Sequence, residues 1–298
     1  MPSKEAIEIN EMFKNIPKGN DPLGYLKERE EGRKRPKPQL PANMTMKELE
    51  LGGNYAELIE KPGNDGPLIM YIHGGGFQTG AAQERREITF EIANKHGSNV
   101  ISINYRLAPE NKWPAPLEDC VAAYKEILNM GYKSENIVIA GESAGGTLVL
   151  GTVLYLKDHR IELPKAAVSY SAGTNNNTHF KSHTANARTD YMLGDSIASS
   201  AKKESLFNNI EEAEEKTKSP YISPYFGDYA GMCPIFLAAS DIEALYDDSL
   251  EVYQRILDAG VKTELYIGHG LIHAYPIFTH LPEARDTLAK TFEFLSEI

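Results

Sequence analysis

The sequence predicts an α/β fold: a mostly parallel central sheet with helices on both faces and a small helical cap. Two observations carry this. Apolar runs bounded by turn residues alternate with segments of 3.6-residue period from about Leu49 onward. Such alternation means a parallel sheet covered on both sides. One long polar stretch, Asn175 to Ser219, breaks the alternation. A polar insertion of that length is more often a lid or cap than a plain loop.

A short amphipathic helix is expected over Ala6–Ile16. After it comes a mixed-charge run, Lys27 to Pro38, expected to be a solvated linker. The strand candidates are Ala56–Ile59, Leu68–Ile72, Val100–Ile103, Ile137–Ala140, Ala166–Tyr170, Ile235–Ala239 and Thr263–Ile267. Helical periodicity marks Leu117–Asn129, Gly145–Lys157 and Ser249–Ala259, with fragments near Ser196–Asn209 and Glu211–Lys216 inside the polar insertion. Ile137 to Leu156 is almost uncharged, but Glu142 and its glycines make it a buried strand and helix rather than a membrane span. The expected organisation is one domain, residues 1–298, with a cap from about 1–45 and 175–219.

The chain has 298 residues, 41% of them hydrophobic, enough to bury a substantial core. Its formal net charge of −11 argues against nucleic acid and against anionic lipid as partners, since both need a basic face. Two cysteines, Cys120 and Cys233, are too few for a disulfide scaffold, and no Cys/His cluster suggests zinc. Charges interrupt the N-terminus at once, so no signal-peptide core is expected and the expected compartment is the cytoplasm.

Two motifs carry chemistry. Gly141-Glu142-Ser143-Ala144-Gly145 matches G-x-S-x-G. Composition alone would produce that pattern about 0.1 times in such a chain, so the match is weak by itself. Its setting makes it strong, because an apolar strand leads in and an apolar helix leads out, as a nucleophile elbow requires. The serine then sits at a helix N-terminus, where negative charge is favoured. His73-Gly74-Gly75-Gly76-Phe77 follows strand Leu68–Ile72, and chance would give it only about 0.004 times. Successive glycines let backbone N–H groups face a substrate oxygen, as an oxyanion hole needs.

A serine nucleophile needs a base and a group to orient that base. His273, six residues after strand Thr263–Ile267, is the best placed base, with His269 the competitor. His96, His159, His179, His183 and His280 lack a strand-end context and read as surface or structural. For the acid, Asp241, Glu243, Asp247 and Asp248 compete after strand Ile235–Ala239.

The chain resembles the hormone-sensitive-lipase-like carboxylesterases of the α/β-hydrolase fold. The resemblance rests on His73-Gly74-Gly75-Gly76-Phe77, on Tyr105-Arg106-Leu107-Ala108-Pro109-Glu110 with Pro114, Pro116 and Asp119, on Gly141 to Gly146, and on Gly270-Leu271-Ile272-His273. It implies Ser143 as nucleophile, His273 as general base, and the N–H groups of Gly75, Gly76 and Ala144 as the oxyanion hole. The family acid is usually Asp in an Asp-x-Leu-x-Asp pattern. Here Glu243-Ala244-Leu245-Tyr246-Asp247 fills that register, which points to Glu243, keeps Asp241 as a rival and leaves Asp247 as a helix-start acid.

The resemblance also implies a cap whose aromatics Phe180, Tyr191 and Phe207 either line a pocket or pin the cap to the core. Lys181, His183 and Arg188 either favour a polar or acidic leaving group or, by default, form a solvated cap face. The implied function is a serine carboxylesterase acting on acetyl to butyryl esters, such as acetylated carbohydrates or xenobiotic esters, with no cofactor and no metal. The alternative is a hydrolase-fold protein that binds a ligand with weak or no catalysis. The expected partner is a small-molecule ester, and a homodimer is left open.

Overall fold

The structure, a computed structural model, describes residues 1–16, 23–194 and 201–298. One eight-stranded sheet runs through it. Its strands are β1 (Thr45–Leu51), β2 (Asn54–Glu60), β3 (Leu68–Ile72), β4 (Val100–Ile103), β5 (Ile137–Glu142), β6 (Ala166–Tyr170), β7 (Ile235–Ser240) and β8 (Thr263–Gly268), in spatial order β1-β2-β4-β3-β5-β6-β7-β8. β1 and β2 form an antiparallel hairpin around Gly52 and Gly53, both with positive φ. β2 runs antiparallel to β4, and every later pairing is parallel. The carboxyl ends of β3 and β5 to β8 therefore share one edge, where open α/β sheets place their ligands.

The main helices are α1 (Lys4–Lys14), α2 (Gly24–Lys34), α3 (Arg86–Lys95), α4 (Ala115–Asn129), α5 (Ala144–Asp158), α6 (Ser182–Ala185), α7 (Ala201–Leu206), α8 (Ile210–Lys216), α9 (Tyr246–Asp258) and α10 (Pro282–Ser296). Alternate residues of β3 face opposite cores. Leu68, Met70 and Ile72 join side chains of α4, α5 and α9, whereas Ile69 and Tyr71 join those of α3 and α10. All five β3 residues are buried, which is why they read as a continuous apolar run.

The helices α3 and α10 are not among the segments the periodicity marks, and two further elements differ from the sequence expectation. Thr45–Leu51 is a strand that the sequence hid, because Lys47, Glu48 and Glu50 face outward on the sheet's edge. Lys27–Lys34 is the body of α2 and not a solvated linker. Arg29 lies only 13% exposed and donates to the carbonyls of Gln78 and Ala108, 2.6 Å each, and to Glu110. Of the helical fragment expected over 196–209, residues 201–206 are helical and 196–200 lie outside the described residues. Among the described residues, no helix is long and apolar enough to cross a membrane.

Candidate active site

Ser143 follows β5 directly and caps α5. Its φ of 55° and ψ of −123° are costly for a residue with a side chain. The turn persists because its surroundings leave no alternative. A Cβ on Gly145 would lie 2.1 Å from the Ile72 carbonyl oxygen, and one on Gly141 would lie 2.5 Å from it. The Ser143 N–H donates to the Tyr170 carbonyl at 2.8 Å, tying the turn to β6.

His273 Nε2 lies 2.9 Å from Ser143 Oγ, and its Nδ1 lies 2.7 Å from Glu243 Oε2. A carboxylate can only accept, so Nδ1 carries the proton and Nε2 is free to accept the serine proton. Glu243 is fully buried, and its Oε1 accepts the Ser240 N–H at 3.0 Å. The histidine loop is held from both sides. Ser240 Oγ donates to the Leu271 carbonyl and Ser171 Oγ accepts the Ala274 N–H. From α1, Asn10 donates to the Gly270 carbonyl at 2.8 Å, while Ala6 and Ile9 pack on Leu271 and Ile272.

Asp241, the rival acid, turns away from His273. Its carboxylate accepts the Gly270 N–H and meets His269, each at 2.8 Å. His269 is 75% exposed. Asp247 stands in the first turn of α9 and accepts the Ser182 N–H.

The loop after β3 supplies backbone donors. Gly75 has φ +119° and Gly76 φ +60°. A Cβ on Gly75 would collide with the Thr79 carbonyl at 2.2 Å, so only glycine fits there. The Gly75 carbonyl accepts from the N–H groups of Gln78 and Thr79. In a trans peptide the next N–H points the opposite way, so that of Gly76 faces out of this turn. Gly76, Ser143 and Ala144 line one cavity of about 80 Å³, together with Thr147, Asn175 and His183. Ala144 opens α5, where its N–H has no partner within the helix.

His183 is not on a solvated face. It is 3% exposed and pairs with the fully buried Asp248. Asp248 also accepts the N–H groups of Thr174 and Asn175. None of Phe180, Tyr191 and Phe207 lines the cavity beside Ser143. Phe207 is buried in the core, Phe180 meets Tyr225 edge-on, and Tyr191 lies under Lys14. Burial pushes both thiols up, that of Cys233 to about 12, so they are inert packing groups.

The sequence also hid a charged network under the site. Glu142, 1% exposed, accepts from the Gly74 N–H (2.6 Å), Arg85 Nε (2.6 Å) and Tyr71 Oη (2.8 Å). Burial and then the Glu142 charge hold the Tyr71 phenol well above its ordinary value. The available signal was an acid at the end of an apolar strand, which must find a partner once buried.

A family model for the α/β-hydrolase fold matches residues 69–277. The acetyl-hydrolase of Streptomyces hygroscopicus is 29% identical over 248 residues, spanning 83% of this chain and 81% of that protein. An esterase of Acinetobacter venetianus is 28% identical over 262 residues, spanning 88% and 84%. Among solved structures, EstE5 soaked with p-nitrophenyl butyrate superposes with a TM-score of 0.88 at 28% identity, covering 99% of this chain and 98% of that one. An esterase from the bacterial hormone-sensitive lipase family gives 0.87 at 29% identity, covering 100% and 99%. The chain belongs to the α/β-hydrolase fold family and groups within it with the hormone-sensitive-lipase-like esterases.

Proposed function

We propose that this ester hydrolase cleaves short-chain acyl esters, acetyl to butyryl, through an acyl-enzyme on Ser143. The observation that carries the reading is the hydrogen-bonded series Ser143–His273–Glu243, at 2.9 and 2.7 Å, beside a small cavity. His273 takes the Oγ proton as Ser143 attacks the acyl carbon. Glu243 holds the ring in the tautomer that can do so and stabilises the imidazolium. The N–H groups of Gly75, Gly76 and Ala144 receive the oxyanion. His273 then gives its proton to the departing alcohol, and water repeats the sequence on the acyl-enzyme.

The cavity of about 80 Å³ supports a short acyl group. The Streptomyces hygroscopicus relative is named an acetyl-hydrolase, which agrees with this size. Acetylated carbohydrates or xenobiotic esters are the substrates we favour. The intact His273 and Glu243 contacts speak against a purely ligand-binding protein. The helices α1 and α2 and the 175–219 insertion would together form the cap over this edge of the sheet.

Hydrolysis of p-nitrophenyl esters from acetate to decanoate tests the reading. We expect kcat/KM to peak between acetate and butyrate, and Ser143→Ala to lose roughly 10⁴-fold or more. A peak at decanoate, or retained activity in Ser143→Ala, would overturn it.

A further inference from the structure

The oxyanion loop passes within contact distance of the nucleophile strand and is fixed there by a charge. An ideal Cβ on Gly74 would lie 2.9 Å from Glu142 Oε1 and 3.0 Å from Ser143 Cβ. The Gly74 N–H itself donates to that carboxylate at 2.6 Å. The same peptide unit is fixed at its other end, where the Tyr105 hydroxyl donates to the His73 carbonyl at 3.0 Å. The Glu142 charge thus lies against the loop proposed to receive the tetrahedral oxyanion. In a low-dielectric interior that charge opposes the reaction unless it is balanced. The balancing group is a guanidinium. Arg85, with its side chain 14% exposed, donates Nε to the same Oε1 at 2.6 Å. Tyr71 satisfies the other oxygen but brings no charge. His73, buried beside Gly74, is held neutral, so it brings none either.

We infer that Arg85 is a positioning residue for the reaction: it neutralises the Glu142 carboxylate that clamps Gly74, so the oxyanion loop is held in place without an adverse charge under it. This rests on the esterase reading above, with Ser143 as nucleophile. Neither Arg85 nor Glu142 touches substrate. Both act through the Gly74 peptide and through the local field.

The test is a double-mutant cycle of charge neutralisation, R85Q, E142Q and R85Q/E142Q, with p-nitrophenyl butyrate. Rates are taken per Ser143 titrated with a fluorophosphonate, and folding is followed by Tm. R85Q should lower kcat about 10- to 100-fold, somewhat less than loss of a direct oxyanion donor, with KM within about threefold. The double variant should regain at least about fivefold over R85Q. In it the unpaired charge is gone, while the carboxamide oxygen introduced by E142Q can still accept from the Gly74 N–H. Wild-type kcat in R85Q, or a double variant no faster than R85Q, would overturn the inference. Should R85Q not fold, R85K keeps the charge and should hold kcat within about threefold of wild type, a larger loss being the contrary result. Fluorophosphonate labelling of Ser143 in the wild type tests the esterase reading separately from the charge pair.

Discussion

His273 donates to Glu243, whereas Asp241 is spent on the Gly270 N–H and His269. The spacing of acids after β7 leaves both open, and only the Glu-x-Leu-x-Asp register favours Glu243. The difference is one of reach: Glu243 sits three residues past the strand end, and its extra methylene lets a fully buried carboxylate meet the ring. Buried partners are the least legible residues. Arg85, Tyr71 and Asp248 each gain meaning from a neighbour at least 57 residues away in sequence, and no local pattern announces such a contact. His73 shows a related effect with a measurable consequence. Burial and then the Arg85 charge depress its pKa to about 3. An unfolded chain takes up a proton there near pH 6.5, while the folded chain does not until about pH 3. Stability from this group is therefore complete above about pH 6.5 and drains as pH falls, by up to about 1.4 kcal/mol per pH unit. Urea unfolding at pH 7, 6 and 5 should show a shallower acid slope for His73→Gln than for wild type. Parallel slopes would contradict the assignment.

At the scale of elements, most strands are legible because their residues are buried on both faces. β3, β4 and β6 fall at the bounds the apolar runs predict. β1 is hidden because an edge strand carries solvent-facing charges, and α2 because its charged, proline-flanked sequence looks like a linker. Yet α2 has a defined task. Arg29 fastens it to the Gln78 and Ala108 carbonyls, and Glu28 accepts from Thr79 at 3.2 Å, all within the oxyanion loop and its neighbour. Hydrogen bonds made by a charged group contribute roughly 1.5–3 kcal/mol. Arg29→Ala should thus lower Tm by several degrees and reduce kcat/KM severalfold, as loosening of Gln78 and Thr79 spreads to Gly75. A thermal melt and a p-nitrophenyl butyrate assay check this, and an unchanged kcat/KM would mean the latch serves stability alone.

For the molecule as a whole, the sheet joins two hydrophobic clusters, one under α4, α5 and α9 and one under α3 and α10. A third, smaller cluster ties α1 to the histidine loop and to α10. Nothing sequence-local foretells that the two N-terminal helices grip opposite walls of the site, α1 the histidine loop and α2 the oxyanion loop. That arrangement ties both walls of the site to the two N-terminal helices. On heating, loss of esterase activity and loss of far-UV circular dichroism should coincide in one transition. An earlier loss of activity with part of the helical signal would show that the N-terminal segment melts as a separate unit.

The proposed chemistry depends above all on Glu243 orienting His273 to activate Ser143. The kcat of Glu243→Gln and of Asp241→Asn on p-nitrophenyl acetate, each beside wild type, probes that dependence without intermediaries. Loss of the orienting acid should cost roughly 10³- to 10⁴-fold, while Asp241→Asn should stay within about tenfold. A near wild-type Glu243→Gln with a crippled Asp241→Asn would refute the role of Glu243 and move the acid to Asp241.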